Sequence, residues 1–140
     1  MSYVVRVNPI SENSEGISTL WTLAYAETEK KRGGAELLAT IRRNVTYTDL
    51  LDHLIKSECL WSAGNDEGIV GFALYRDRVV EALYVDRSCR RLGIARSMLT
   101  ALRELEEPPL DAYALPGDRA TKSIYESIGW KARLLTMRGE

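Results

Sequence analysis

The sequence predicts a single α/β domain in which a mixed, mostly antiparallel sheet of about six to seven strands is flanked by helices. An apolar run from Val79 to Val85 is followed by an arginine-rich turn and then by a helical pattern. The spacing of the apolar residues changes at Gly93, from the two-residue repeat of a strand to the 3.6-residue repeat of a helix. Before this point, strand-like runs follow one another across tight turns, which is typical of an antiparallel meander. A chain of 140 residues can bury one hydrophobic core, and we expect one domain over residues 1–140.

The first part of the chain predicts one strand and three helices. Tyr3 to Val7 alternates like a strand, and N-cap candidates at Ser11 to Ser14 precede a helical stripe that stops at Gly33-Gly34. A short helix is expected from Ala35 to Asn44, and Thr48 is the expected N-cap of the next helix. The first helix is predicted to bury Ile17, Leu20, Trp21, Ala24 and Thr28.

The middle of the chain predicts the meander. Leu60 to Ala63 and Ile69 to Tyr75 are expected strands joined by a glycine-bounded turn, and Arg76-Asp77-Arg78 turns the second into the central strand Val79 to Val85. The helix that follows should bury one apolar stripe, formed by Ile94, Met98, Ala101, Leu102 and Leu105.

The last part of the chain predicts a strand, a helix and a strand. Pro108-Pro109 breaks the preceding helix, and Leu110 to Leu115 should pair parallel with Val79 to Val85 through a right-handed crossover. The final helix begins near Asp118, and Trp130 to Met137 is expected to be the last strand. We expect this helix to bury Ala120, Ile124 and Ile128 and to end at Gly129.

Composition excludes several classes of function. The formal net charge is −1, so no overall positive field attracts nucleic acid or an anionic membrane. No apolar run approaches the ~20 residues that span a bilayer, and the two cysteines suggest reduced thiols, so a soluble cytoplasmic protein is expected. The single histidine, His53, gives no histidine-rich metal site, and we expect no metal.

The turn after the central strand is a candidate anion site. A helix that opens directly after a strand points its unpaired N–H groups and the positive end of its dipole outward. Gly93 allows close approach of a ligand, and Ala95 is too small to block it. Positive charge suited to a pyrophosphate comes from Arg87, Arg90, Arg91 and Arg96. A turn glycine flanked by solvated arginines is the alternative interpretation.

The segment Arg90-Arg91-Leu92-Gly93-Ile94-Ala95 resembles the Q/R-x-x-G-x-G/A pyrophosphate loop of the GNAT superfamily of acyl-CoA-dependent N-acyltransferases. The strand before it resembles the fourth strand of that family, and Asp118 to Trp130 resembles its motif N-x-x-A-x-x-x-Y-E-x-x-G-F/W, without the usual asparagine. The resemblance implies a GNAT fold and acetyl-CoA as cosubstrate. The implied cofactor-binding residues are Leu83, Tyr84, Val85, Arg90, Arg91, Leu92, Gly93, Ile94, Ala95, Arg96 and Ser123.

Two side chains are candidates for acid and base catalysis. By resemblance, Tyr125 would protonate the CoA thiolate that leaves, whereas the alternative is an aromatic side chain packed on a neighbouring strand. Glu81 interrupts an apolar strand and is a candidate base for the amine, although an ion pair with an arginine is an equal alternative. In this family a main-chain N–H beside a gap between the fourth and fifth strands also polarises the thioester carbonyl, which places the donors near Leu83 to Val85.

The resemblance implies direct transfer of an acetyl group to a primary amine, which could be a small amine or amino acid, a protein amine or an aminoacyl-tRNA. Basic residues at Lys30-Lys31-Arg32 and Arg42-Arg43 would suit an acidic acceptor, but solvated surfaces explain them as well. Cys89 lies beside the loop, and nothing in the sequence activates it as a nucleophile. The competing hypothesis is a GNAT-like module without turnover that binds CoA or a protein partner, and a homodimer is compatible with either.

Overall fold

The computed structural model describes residues 6–139, which form a five-stranded mixed sheet with helices on both faces. The strands are β1 (Arg6–Pro9), β2 (Leu60–Asn65), β3 (Gly68–Arg76), β4 (Val79–Val85) and β5 (Asp111–Ala112). The helices are α1 (Glu15–Glu29), α2 (Gly34–Arg42), α3 (Tyr47–Lys56), α4 (Ile94–Leu105) and α5 (Arg119–Ser127). None of these helices is long and apolar enough to cross a membrane.

The sheet has the strand order β1-β2-β3-β4-β5. The first four strands pair antiparallel, and β4 and β5 pair parallel, as the crossover through α4 predicts. The parallel pairing is short: Val79 lies opposite Asp111 and Val80 opposite Ala112. Beyond these pairs β4 continues for five residues without a sheet partner on that side among residues 6–139.

Two hydrophobic clusters lie on opposite faces of the sheet. Helices α1, α2 and α3 cover one face, where Ile17, Leu50 and Phe72 are almost fully buried. Helix α4 covers the other face through Ile94, Met98 and other apolar residues at helical spacing, and α5 contributes Tyr125 to the same cluster. The end of β4 therefore lies between the two layers of helices.

Several boundaries differ from the sequence predictions. Strand β1 extends through Asn8 and Pro9, while residues 3–5 of the predicted strand lie outside the described range. Thr46, rather than Thr48, is the N-cap of α3. Leu105, which was expected in the buried stripe, is the last residue of α4 and is exposed.

The prediction of a last strand over Trp130 to Met137 was wrong, since this segment has no regular secondary structure. The predicted strand at Leu110 to Leu115 is reduced to two paired residues. A segment with residues that favour strands, such as Trp130 to Met137, forms a strand only where a partner edge is present. The missing last strand leaves five strands among the described residues, below the predicted six to seven.

Candidate active site

A cavity of about 770 Å³ lies at the carboxyl end of β4, between α1 and α2 on one side and the α4 and α5 region on the other. Every residue of β4 from Glu81 to Val85 lines it. Tyr113, Ala114 and Leu115, which follow β5 after it diverges from β4, line the same cavity. The cavity is thus formed where the two parallel strands separate.

A β-bulge directs Glu81 into this cavity. Leu74 of β3 lies opposite Ala82 and Tyr75 lies opposite Val80, so Glu81 is an extra residue on β4. The bulge reverses the alternation of side chains: Val80 packs on the α4 side, whereas Ala82 and Tyr84 pack on the α1 side.

The Glu81 carboxylate is almost fully buried, and Arg76 Nε donates a hydrogen bond to it. Arg76 also donates to the main-chain carbonyl of Ile41 in α2, so the pair connects β4 to α2. This contact is the ion pair that the sequence left open as an alternative. It does not remove Glu81 from the cavity wall.

The separation of β4 and β5 leaves main-chain N–H groups of β4 facing a gap. The Asp86 N–H donates to the Val70 carbonyl of β3 over 2.8 Å. Because successive N–H groups of a strand point to opposite sides, those of Leu83 and Val85 point away from β3 and toward the diverging β5 segment. The gap therefore offers two aligned hydrogen-bond donors.

The segment between β4 and α4 has the open helix N-terminus that the expected anion site requires. Gly93 is the N-cap of α4 with φ of 79°, and no side chain caps this end. The N–H groups of the first turn, at Ile94, Ala95 and Arg96, have no partner within the helix itself. A Cβ added to Gly93 would meet no atom within 4 Å, so the space in front of this turn is open.

The arginines of this site are oriented by their own chain. Arg90 Nε donates to the Val85 carbonyl over 2.9 Å, and its guanidinium lies 5.4 Å from the centroid of the Tyr84 ring. Glu27 of α1 pairs with Arg87 at 2.7 Å and with Arg90 at 3.1 Å. Partial burial acts to raise the pKa of Glu27, but the hydrogen bonds from both arginines outweigh it and lower that pKa.

A second ion pair crosses the cavity from α1 to α5. Lys31, just after α1, contacts Asp118 at 2.9 Å, and Asp118 is also the N-cap of α5 through the Thr121 N–H. Burial acts to raise the pKa of Asp118, but the contacts with Lys31 and Thr121 lower it overall. Asp118 thus caps the helix at the position where the related motif has asparagine.

Tyr125 does not line the cavity. Its side chain is buried on the α4 side, and its ring stacks on Trp130 with the centroids 5.4 Å apart. Its hydroxyl is buried and has no hydrogen-bond partner among residues 6–139. Burial, with a smaller contribution from Asp118, raises the pKa of Tyr125 above its ordinary value.

The prediction for α5 is correct in part. Ile124 and Ile128, which were expected in the core, pack against the cluster on the α4 side, but Ile124 and the exposed Ala120 also line the cavity. Tyr125, which was expected on the cavity flank, is buried. An apolar stripe faces an apolar cavity as readily as a core, so periodicity does not separate the two.

Most predicted cofactor residues meet at the cavity. Leu83, Tyr84 and Val85 line it from β4, and Arg90, Arg91, Gly93, Ile94, Ala95 and Arg96 line it from the loop and α4. Leu92 is half exposed and Ser123 is exposed, and neither lines the cavity. Their predicted contacts to a cofactor have no support in this geometry.

The sequence did not single out Glu27 as a cavity residue, gave Lys31 only as part of a basic run that would suit an acidic acceptor, and gave Asp118 only as the position that lacks the motif asparagine. A weak signal existed for the α1 wall of the cavity, because Trp21, Ala24, Thr28 and Lys31 recur at helical spacing. The basic residues at the end of α2 are also engaged: Arg42 donates to the Tyr25 hydroxyl and Arg43 pairs with Asp77.

The family model of the GNAT acetyltransferase domain matches residues 22–136. A ribosomal-protein-alanine N-acetyltransferase from Brucella melitensis biovar Abortus 2308 has a similar structure, with a TM-score of 0.71, 19% identity and 99% of each chain covered. AAC(6')-Iy, in complex with the bisubstrate analogue CoA-S-monomethyl-acetylneamine, has a TM-score of 0.58, 13% identity and 99% coverage of each chain.

A third similar structure is an aminoglycoside acetyltransferase, meta-AAC0020, from an uncultured soil metagenomic sample, here in complex with trehalose. Its TM-score is 0.63, with 18% identity, 97% of this chain covered and 94% of that one. No curated protein is a significant sequence match. At these identities the structural likeness shows the fold, and together with the family model it establishes that the chain belongs to the GNAT superfamily of acetyltransferases.

Proposed function

We propose that this protein transfers the acetyl group of acetyl-CoA directly to a primary amine. The observation that carries the proposal is the gap between β4 and β5, where the Leu83 and Val85 N–H groups face an open cavity that also reaches the α4 N-terminus. An extended pantetheine arm needs main-chain donors of this kind, and a thioester carbonyl gains reactivity from a fixed N–H donor.

The loop offers a matching site for the pyrophosphate. The first-turn N–H groups of α4 and the guanidinium groups of Arg91 and Arg96 border the open space in front of Gly93. The CoA analogue bound to AAC(6')-Iy shows that a neighbour with this fold accommodates CoA. We therefore assign the pyrophosphate to the loop and the pantetheine arm to the gap.

The reaction follows from these positions. The neutral amine attacks the acetyl carbon, a C–N bond forms, the C–S bond breaks, and CoA leaves as a thiolate that takes up a proton. Glu81 is our candidate to accept the proton of the amine, since the bulge directs its carboxylate to the cavity. Tyr125 is our candidate proton donor to the thiolate, a role that requires its buried hydroxyl to become accessible when acetyl-CoA binds.

A second candidate function is supported by the same two side chains. Glu81 is already neutralised by Arg76, and the Tyr125 hydroxyl is off the cavity wall, as expected for a module that binds CoA without turnover. The Tyr125→Phe variant separates these functions. In the enzyme it lowers acetyl transfer while the affinity for acetyl-CoA is unchanged, and in the binding module there is no transfer to lower.

The direct test is the release of CoA thiol from acetyl-CoA in the presence of primary amines, with the acetylated amine identified by mass. The similar structures suggest two acceptor classes to include, an aminoglycoside and a peptide with N-terminal alanine. Amine-dependent release with a matching product supports the proposal. Binding of acetyl-CoA with no product from any amine would favour the binding module instead.

A further inference from the structure

The acceptor end of the cavity has apolar walls. This end lies between α1, α2 and the Glu81 bulge, and it is lined by Trp21, Tyr25, Leu37, Leu38, Ile41 and Phe72. The aromatic rings contact one another in series: Trp21 and Phe72 have centroids 5.6 Å apart, and Phe72 and Tyr84 5.9 Å apart. These contacts hold the wall in one arrangement.

The acidic residues of the cavity are already paired. Three carboxylates line it, and each has a cationic partner in the same chain: Glu27 contacts Arg87 and Arg90, Glu81 contacts Arg76, and Asp118 contacts Lys31. A polycationic acceptor needs several carboxylates without competing cations. Within residues 6–139 this cavity provides none.

The described walls of the acceptor end also provide no free positive charge for an acidic acceptor. Lys31 is the basic residue of the α1 and α2 end of the cavity, and its ammonium group contacts Asp118. The arginines at the opposite end border the pyrophosphate site proposed above. The acceptor end therefore lacks both a free cation and a free anion among its described wall residues.

We propose that the acceptor is a small primary monoamine with an apolar body, either an arylalkylamine or an alkylamine. The body would lie against the aromatic and aliphatic walls, and the nitrogen would lie near Glu81 and the gap. This proposal rests on the acetyltransferase function proposed above and adds the class of its acceptor. The nitrogen forms a bond to the acetyl carbon as the C–S bond breaks, its proton passes to Glu81, and CoA leaves as a thiolate that takes a proton from the candidate donor Tyr125.

A panel of amines tests the proposal. The probes are 2-phenylethylamine, hexylamine, sisomicin, a peptide with N-terminal alanine, and glutamate, each assayed by CoA release with acetyl-CoA saturating. We expect kcat/KM for the first two amines to exceed that for each of the others by about tenfold or more. A preference for sisomicin, the peptide or glutamate would overturn the acceptor class and leave the acetyltransferase function standing. If acetyl-CoA does not bind, both proposals fail.

A matched pair of variants tests where the selectivity lies. Leu37 and Leu51 are both half-buried leucines packed on the same hydrophobic cluster, but only Leu37 lines the cavity. Leu37→Glu adds an unpaired carboxylate to the acceptor end, so we expect kcat/KM for 2-phenylethylamine to fall about tenfold and that for a diamine such as putrescine to rise.

Leu51→Glu is the control for the general effect of placing a carboxylate in this cluster. It should leave the ratio of kcat/KM between 2-phenylethylamine and putrescine as in the unaltered protein. An equal change of that ratio in both variants would show that the acceptor does not contact the Leu37 wall and would overturn the proposal.

Discussion

The hydroxyl of Tyr125 is buried without a hydrogen-bond partner among the described residues, and burial raises its pKa. The folded protein then keeps the phenol proton where the unfolded chain loses it, at and above pH about 10. Its contribution to stability is therefore complete below that pH and is lost as the pH rises further. The Tyr125→Phe variant should therefore lose less stability than the unaltered protein as the pH rises above about 10.

The measurement is the free energy of unfolding in urea at pH about 8 and about 11. Near pH 8 the Tyr125→Phe variant should lie within about 1 kcal/mol of the unaltered protein, because no hydrogen bond is removed. Tyr113→Phe changes an exposed tyrosine and serves as control. If the free energy of unfolding falls by the same amount between the two pH values in both variants, the buried environment of Tyr125 is contradicted.

Glu81 has two roles to separate, the base and the partner of Arg76. Glu81→Gln keeps an acceptor for Arg76 but removes the charge, so the buried guanidinium loses its counterion. We expect unfolding to become easier by about 3–5 kcal/mol and kcat to fall by about 10²–10⁴ with acetyl-CoA affinity kept. Kinetics and thermal unfolding of the same sample measure both.

The double variant Glu81→Gln with Arg76→Gln is the control. Removing the uncompensated charge should recover part of the lost stability and none of the lost kcat. If kcat recovers together with stability, Glu81 is only the structural partner of Arg76, and the base assignment is wrong.

Two glycines allow the role of the α4 N-terminus to be tested at the scale of the element. Gly93 begins α4 and Gly129 follows α5; both have positive φ, 79° and 89°, and a Cβ at either would meet no atom within 4 Å. Alanine at either position should therefore lower stability by a similar ~1–2 kcal/mol of backbone strain. Of these two glycines, only Gly93 lines the cavity.

Gly93→Ala should consequently weaken acetyl-CoA binding by about tenfold or more, since the methyl group enters the space where a pyrophosphate must approach the helix. Titration calorimetry with acetyl-CoA on both variants is the measurement. Equal affinities in the two alanine variants would mean that the cosubstrate does not contact this turn.

The elements also show where sequence reasoning succeeds. The switch of apolar period at Gly93 correctly predicted β4 and α4, because strand and helix patterns are local. The right-handed crossover through α4 then correctly predicted the parallel pairing of β5. The bulge at Glu81 depends on register with β3, and the burial of Tyr125 depends on how α5 is rotated against α4. Both are tertiary properties, so neither was predictable from local pattern.

At the scale of the whole molecule, the family and fold followed from three segments in the expected order, and the family model confirms them. The acceptor side was less predictable, because pairs such as Glu27 with Arg90 and Lys31 with Asp118 join residues about half the chain apart. A homodimer stays a prediction. Three apolar side chains after α5 are exposed: Leu134, Leu135 and Met137. Among the described residues none covers them, so they do not define such an interface by themselves.

The central claim is that acetyl-CoA occupies the gap between β4 and β5, and amide NMR of the labelled protein tests it most directly. On titration with acetyl-CoA, the N–H signals of Leu83, Val85 and the first turn of α4 should shift, and those of Leu83 and Val85 should become protected from exchange. Adenosine diphosphate lacks the pantetheine arm and should affect the α4 signals alone. Unchanged Leu83 and Val85 signals at saturating acetyl-CoA would contradict the account.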